Sequence, residues 1–363
     1  MKRYVIDTAA LASNAAIIRE RAGVPVIAVL KADGYGMGIV KEAEVLREAG
    51  MDFFAVTEPE EALTLREHGF LTQSILVMRS TAAADEIEKI AAANAIFTVG
   101  SPEALEALTA FCTQTNTTVQ AHVKLDTGMG RYGFLPTQYD QLRRVYECRP
   151  QITVTGIYTH FHSSFGNAKE TERQFRALTA VMDRLRADGI EPGIGHAANS
   201  SGLFCYDQKY TLDAVRIGSA FTGRIHAPEA GLQRIGYMES QVIEVRTVPK
   251  GHPVGYGAGY ITRRPTEIAV VPVGYIDGFS VEKRRDLYRF RDLLRYVLDE
   301  VRSFLGKGKI FVRVNGKRAR VLGHVGLCHV SLDVTGMGIR PGDRAVLEVN
   351  PLYVNPNVEK HYI

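Results

Sequence analysis

From residue 24 to about 220, short apolar runs alternate with amphipathic stretches of helical period, the pattern of repeated strand-helix units. The strand-like runs are Val24 to Leu30, Phe53 to Thr57, Ser74 to Met78, Ala95 to Val99, Thr118 to Leu125, Ile152 to Thr159, Gly193 to His196 and Asp213 to Ile217. Between them, stretches such as Pro59 to His68, Ala83 to Ala93, Pro102 to Thr113 and Lys169 to Asp188 read as helices. Eight strands in this alternation predict an α/β fold, a (β/α)8 TIM barrel over residues 1–225, rather than an open doubly wound sheet. Past residue 225 the pattern changes to Ser240 to Val248, Glu267 to Val273, Ile310 to Leu322 and Ala345 to Val349, all β-prone. The third of these contains Asn315-Gly316, a strong hairpin signal. A mainly antiparallel β domain is therefore expected over 226–363. One helical insert near 281–308 interrupts it, with Leu, Tyr and Val at 287, 288, 293, 294, 297 and 298 along one face.

Composition narrows the class. A chain of 363 residues with 45% apolar and 23% charged side chains suits a soluble protein with one large and one smaller domain. Lys and Arg number 44 against 40 Asp and Glu, and the one basic cluster is Lys283-Arg284-Arg285, so no nucleic-acid partner is expected. Cys112, Cys148, Cys205 and Cys328 stand far apart without a CxxC or a His at ligand spacing, which argues against a disulfide framework and a metal site. The start reaches Asp7 without a signal-peptide apolar core, and the run from Ile268 to Ile276 is too short to span a bilayer. A cytoplasmic protein in a reducing compartment, with no membrane partner, is the expectation.

In a barrel of this kind the reacting groups stand at the carboxyl ends of the strands. There the sequence has Lys31 and Tyr35 after the first strand and Lys124, Asp126 and Arg131 at the fifth. His160 follows the sixth, Asn199 and Ser200 the seventh, and Arg216, Gly218 and Ser219 the eighth. Each alone has an ordinary reading as a loop lysine, a core histidine, a helix cap or a surface arginine. Together they suggest more. Ser200, Gly218 and Ser219 are the small and hydroxyl residues a phosphate site at this rim requires. A phosphate site opposite a strand-end lysine, with arginines between, suits pyridoxal phosphate held covalently on Lys31. No GxGxxG, Walker A or HExxH motif competes with this reading.

The chain resembles the alanine racemase family of fold-type III pyridoxal-phosphate enzymes over nearly its whole length. AVLKADGYGMG is similar to the family's lysine box, HVKLDTGMGRYGF to its most specific signature, THF and HAANSS to its sixth- and seventh-strand motifs and RIGSAFTG to its eighth. VGYGAGY and VPVGYIDGF resemble the first part of its β domain. The resemblance implies racemisation of a small amino acid, L-alanine to D-alanine for the cell wall, by two bases on opposite faces: Lys31 and Tyr256 of the partner subunit. It implies a homodimer with sites completed in trans, and Tyr35 as a phosphate ligand. It also implies a hydrogen-bonded chain from Arg216 through His160 to Tyr256, and Arg216 facing the pyridine nitrogen, which restrains decarboxylation and transamination. Arg131 would bind the cofactor's phenolic oxygen and the substrate carboxylate, Lys124 would be carbamylated to orient it, and Tyr275, Leu327 and Cys328 would contact substrate.

The sequence also departs from the family. Where the family reads GR-x-x-Met-Asp, this chain has Gly323-His324-Val325-Gly326-Leu327-Cys328, which removes a charge from the substrate entrance. Met37 replaces the usual histidine, and Pro356 aligns with a pocket tyrosine for which Tyr353 or Tyr362 could substitute. Serine or a broader set of amino acids is therefore the second substrate expectation. A barrel decarboxylase and a non-catalytic pyridoxal-phosphate-binding protein are the alternatives from other classes.

Overall fold

The computed structural model describes residues 2–225, 230–282, 290–302 and 309–363. It divides into a barrel unit, Thr8–Ile235, and a β unit formed by Met1–Asp7 with Gly236–Ile363.

The barrel strands are Val26–Val29, Phe53–Val56, Ser74–Ser80, Ile96–Val99, Val119–Lys124, Ile152–Tyr158, Ile194–His196 and Val215–Ile217. From the first to the seventh, each pairs in parallel with the next, and the eighth returns to the first through Val26↔Val215, Ile27↔Arg216 and Ala28↔Ile217. The seam between the seventh and eighth strands is looser. It is joined by the bridge His196↔Ala214 and by backbone bonds that include Asp213 N to Gly195 O at 3.0 Å and Arg216 N to Ala198 O at 2.9 Å. Inward-facing Ile27, Val29, Ala55, Leu76, Ile96, Tyr158 and Ala214 fill the interior, as the two-residue period of a strand requires. The expected helices are present as Pro59–Glu67, Ala84–Ala92, Pro102–Thr115 and Ala168–Ala187. Pro102 begins its helix behind Ser101, whose side chain accepts from Ala104 N at 3.2 Å, a proline-plus-serine start that makes this boundary sharp.

The β unit is a nine-stranded sheet in the order Glu244–Val248, Thr266–Val271, Val330–Asp333, Lys317–Val321, Phe311–Val314, Arg344–Leu347, Tyr237–Gln241, Arg3–Ile6 and Glu359–Tyr362. Every pair is antiparallel except the last, which is parallel. Asn315 and Gly316 turn the hairpin with φ of 48° and 77°, both in the left-handed region this tight turn needs.

Two expectations change here. Residues 3–6, expected with the barrel, form a strand of the β sheet. Tyr4, Val5 and Ile6 are buried, Tyr4 Oη donates to Val349 O at 3.1 Å, and Arg3 pairs with Glu239 at 2.7 Å across the ladder. The expected strand over 240–248 is two strands, because the chain leaves Arg344–Leu347 at Val242 and pairs with Thr266–Val271 from Glu244 onward. In the insert, Phe290–Arg302 is helical. Leu287, Tyr288 and Lys283-Arg284-Arg285 lie outside the described residues.

Candidate active site

Lys31 stands directly after the first barrel strand, where the chain makes one turn of left-handed helix: Ala32, Asp33, Gly34 and Tyr35 have φ of 56°, 53°, 62° and 52°. Glycine accepts this conformation, whereas Ala32, Asp33 and Tyr35 each give up roughly 1–2 kcal/mol to hold it. Surrounding bonds fix the turn. Gly34 N donates to Leu30 O (2.8 Å), Gly36 N to Ala32 O (2.9 Å), Gly38 N to Asp33 O (2.9 Å), and Ile39 N to Asp33 Oδ1 (2.9 Å). Strain of this kind, over-determined by its surroundings, is typical of functional sites. Here it swings Tyr35 across to the eighth strand's loop, where a methyl group at Gly218 would overlap the Tyr35 hydroxyl. Below the turn lies Glu42, fully buried with no hydrogen-bond partner on either carboxyl oxygen, its pKa raised by burial and by Asp33.

The loose seventh–eighth seam supplies the hydroxyl side of the site. Asn199 caps the helix Ser200–Tyr206, its Oδ1 accepting from Gly202 N at 2.8 Å, so Ser200 is the first helical residue. Ser200 Oγ accepts from both Gly218 N and Ala220 N, each at 3.3 Å, and so draws the two loops together. The Asp126–Arg131 loop is wound about one carboxylate: Asp126 accepts from Gly128 N, Met129 N and Gly130 N at 2.8, 2.7 and 2.8 Å, which carries Arg131 to the rim.

These pieces line one cavity of about 500 Å³, the size that holds a small cofactor. Lys31, Tyr35, Lys124, Arg131, His160, Asn199, Ser200, Arg216, Gly218 and Ser219 all line it. The sequence reading missed Met78, Tyr132, Tyr158, Glu58 and Glu61, which also contribute. Among them Tyr158 is central. Its ring lies 4.4 Å from Lys124 Nζ and 4.8 Å from the Arg216 guanidinium, and its hydroxyl donates to Met78 O at 2.9 Å. Its position as the last residue of an apolar strand was the only signal for it.

Four cationic side chains around one cavity set its electrostatics. Burial, then the charge of Arg131, lowers the pKa of Lys31. Burial, followed by Arg216 and Arg131, holds Lys124 well below the usual lysine range. Arg216 is pulled down to about 10 by burial, so it remains charged at neutral pH. Its Nη1 donates to His196 Nδ1 at 2.7 Å and to His196 O at 2.9 Å, and its Nη2 to Thr159 O at 2.5 Å and to His160 Nδ1 at 3.4 Å. An arginine can only donate, which decides the tautomers behind it. His196 must carry its proton on Nε2, which donates to His122 Nδ1 at 2.9 Å. His160 likewise carries its proton on Nε2. Burial first, then Arg216, lowers all three imidazoles, His122 to about 3, so they are neutral at pH 7.

The remaining expected site residues, Tyr256, Tyr275, Leu327 and Cys328, belong to the β unit. Tyr256 begins a short turn between Pro253–Val254 and Tyr260–Ile261 and is 81% exposed. Gly255 and Gly259 on either side lie against His324, while Tyr275 N and Ile276 N donate to Gly326 O and Leu327 O at 3.1 and 3.2 Å. The Tyr256 turn and Tyr275 thus lie along the 323–328 segment, in which Leu327 and Cys328 are exposed, as is Tyr275. Among the described residues no cluster of His, Cys, Asp or Glu is placed to hold a metal ion. No helix among them is long and apolar enough to cross a membrane.

Two family models match the chain, one described as alanine racemase, N-terminal domain over residues 6–225, the other as alanine racemase, C-terminal domain over residues 236–355. The alanine racemase of Desulfosudis oleivorans is 32% identical over 360 residues, covering 94% of this chain and 86% of the relative. That of Halothermothrix orenii is 31% identical over 350 residues, with the same 94% and 86% coverage. Among solved structures, alanine racemase from D-cycloserine-producing Streptomyces lavendulae aligns with 100% of this chain and 97% of its own, at a TM-score of 0.86 and 26% identity. Alanine racemase from Bartonella henselae with covalently bound pyridoxal phosphate shares the fold at a TM-score of 0.81 and 23% identity, over 100% of this chain and 99% of that one. With family models spanning both units and relatives above 30% identity along nearly the whole length, this chain belongs to the alanine racemase family.

Proposed function

We propose that this chain interconverts the enantiomers of a small amino acid, alanine before serine, using pyridoxal 5′-phosphate held on Lys31. The observation that carries the reading is a strand-end amine with a lowered pKa sharing one cavity with a buried, charged arginine and a hydroxyl-lined loop where the Tyr35 hydroxyl packs on Gly218. The cofactor fits these groups. Tyr35, Asn199, Ser200, Gly218 and Ser219 would hold its phosphate, Arg216 would face its ring nitrogen and Arg131 its phenolic oxygen. When bound, it supplies the electron sink that makes an α-hydrogen removable.

Removing that hydrogen from one face and returning it at the other needs a base on each side. Lys31 serves one side, since its lowered pKa raises the share of free amine at neutral pH. Tyr256 of the partner subunit serves the other in a homodimer whose sites are completed in trans. Arg216 supports that role through His160. By donating to His160 Nδ1 it leaves Nε2–H as the outward donor, the form that stabilises a phenolate. Lys124, whose pKa is held well below the usual lysine range by burial and by the charges of Arg216 and Arg131, is suited to carbamylation, which would then orient Arg131. Tyr275, Leu327 and Cys328 would contact the substrate, and the uncharged Cys328 leaves room for serine as the second substrate. A decarboxylase would offer a carboxylate to the ring nitrogen, and the buried cation Arg216 disfavours it.

The test is a racemisation panel over amino acids with purified enzyme, read beside the visible absorbance of the cofactor. Alanine turnover is expected, together with a visible cofactor band that borohydride reduction abolishes, leaving the reduced cofactor fixed on Lys31. Failure to turn over either alanine or serine would overturn the narrower substrate reading. Reduction onto another lysine would overturn the site.

A further inference from the structure

The Phe290–Arg302 helix carries its apolar side chains at Phe290, Leu293, Leu294, Val297, Leu298 and Val301, the spacing that puts them on one face. That face is bare. The six side chains are 75%, 42%, 51%, 51%, 56% and 50% exposed in that order, although an apolar stripe of this kind ordinarily packs against a core. No residue of the helix lines the cavity described above, and its surroundings in sequence are unusual. Residues 281–309 contain nine Lys and Arg against five Asp and Glu, an excess equal to the +4 of the whole chain.

Three coverings can be compared. A helix of 13 residues is about 20 Å long. That is too short to span a bilayer, which takes about 20 residues. One face of it also offers well below the roughly 800 Å² per partner that a stable protein interface buries. A lipid surface sets no such minimum, because an amphipathic helix lies in its plane, buries one face and is held in addition by basic residues near anionic headgroups. The charge of the insert complements such a surface, and arginine stems such as those of Arg295 and Arg302 can extend from the apolar layer to the headgroups.

We propose that the 290–302 helix is an in-plane anchor that seats this enzyme on an anionic phospholipid bilayer. The chain contains no tryptophan, so Phe290→Trp places a single reporter on the face. The cofactor-loaded F290W protein is mixed with phosphatidylcholine vesicles with or without phosphatidylglycerol, then followed by emission and by flotation. Expected are a blue shift and co-flotation on the phosphatidylglycerol vesicles alone, both reversed by high salt. The double variant Leu294→Glu with Val297→Glu should reduce flotation by about tenfold or more while its racemase rate in lipid-free buffer stays unchanged. Leu294→Ala with Val297→Ala, which keeps helix propensity, should reduce flotation to an intermediate degree and so separates lost apolar area from a lost helix. No flotation on either vesicle, or flotation unchanged in the double glutamate variant, overturns the proposal. So does a blue shift without vesicles accompanied by a smaller assembly in the glutamate variant, since a second copy of the chain would then cover the face.

Discussion

Gly218 has no side chain because the Tyr35 hydroxyl occupies the place where a methyl group would go. Gly218→Ala must therefore displace Tyr35 or the eighth-strand loop. Overpacking of about 1–3 kcal/mol should weaken cofactor binding by roughly fivefold to a hundredfold. Titration of the cofactor-free protein with pyridoxal phosphate measures this, and an unchanged dissociation constant would refute the placement. At this scale the sequence was informative where chemistry needs an uncommon residue at a strand end. Lys31, Arg131, His160 and Arg216 each had an ordinary reading alone and stood out together, because polar and charged groups gathered at the ends of buried strands require a reason. Tyr158, His122 and His196 did not stand out, since an aromatic or histidine inside an apolar strand looks like core until its neighbours across the barrel are known. Nor was the left-handed turn visible. Gly34, Gly36 and Gly38 hinted at one, but Ala32 and Asp33 do not choose that conformation by themselves.

The histidine relay joins two barrel strands, His122 on Val119–Lys124 and His196 on Ile194–His196, and ends at Arg216 on the eighth strand. All three imidazoles, His160 included, have pKa values lowered by burial in the folded state. The unfolded chain therefore takes up protons that the folded chain refuses once pH falls below about 6.5. Stability is thus fully present above that pH. It is lost as pH drops, by about 1.4 kcal/mol per pH unit for each imidazole that stays neutral in the fold. For His122 the window extends down to about 3. Denaturant unfolding at a series of pH values between 6.5 and 4.5 should give this slope. His122→Asn keeps an acceptor for His196 and should reduce the slope by about one proton. An identical slope in the variant would contradict the neutral relay. Among whole elements, the eight barrel strands were legible because each is a short apolar run between amphipathic helices. Arg3–Ile6 and Val330–Asp333 were not, because neither stands between two amphipathic helices.

At the scale of the whole molecule, Lys31 and Tyr256 fall in different units of one chain, which makes the trans-site proposal separable by mixing. Lys31→Ala and Tyr256→Phe should each lose at least about a hundredfold in activity. When equal amounts are unfolded and reassembled together, half the dimers are hybrids, and each hybrid has one intact site. Roughly a quarter of wild-type activity should return. No recovery, in a mixture shown by mass to contain hybrids, would mean that both residues act within one subunit.

The β sheet places Arg3–Ile6 between Tyr237–Gln241 and the parallel strand Glu359–Tyr362. On the ribosome the first of these emerges before any of the barrel, and the last of its neighbours only after the barrel is finished. At bacterial and eukaryotic elongation rates that interval is tens of seconds, ample time for the barrel to fold. The nascent chain thus builds its cofactor pocket first, while Arg3–Ile6 waits for Tyr237–Gln241, which follows the barrel, and then for Glu359–Tyr362 on its other edge. An arrest just short of Glu359 should yield a protease-resistant barrel that already binds pyridoxal phosphate, beside a β sheet that lacks its parallel edge strand.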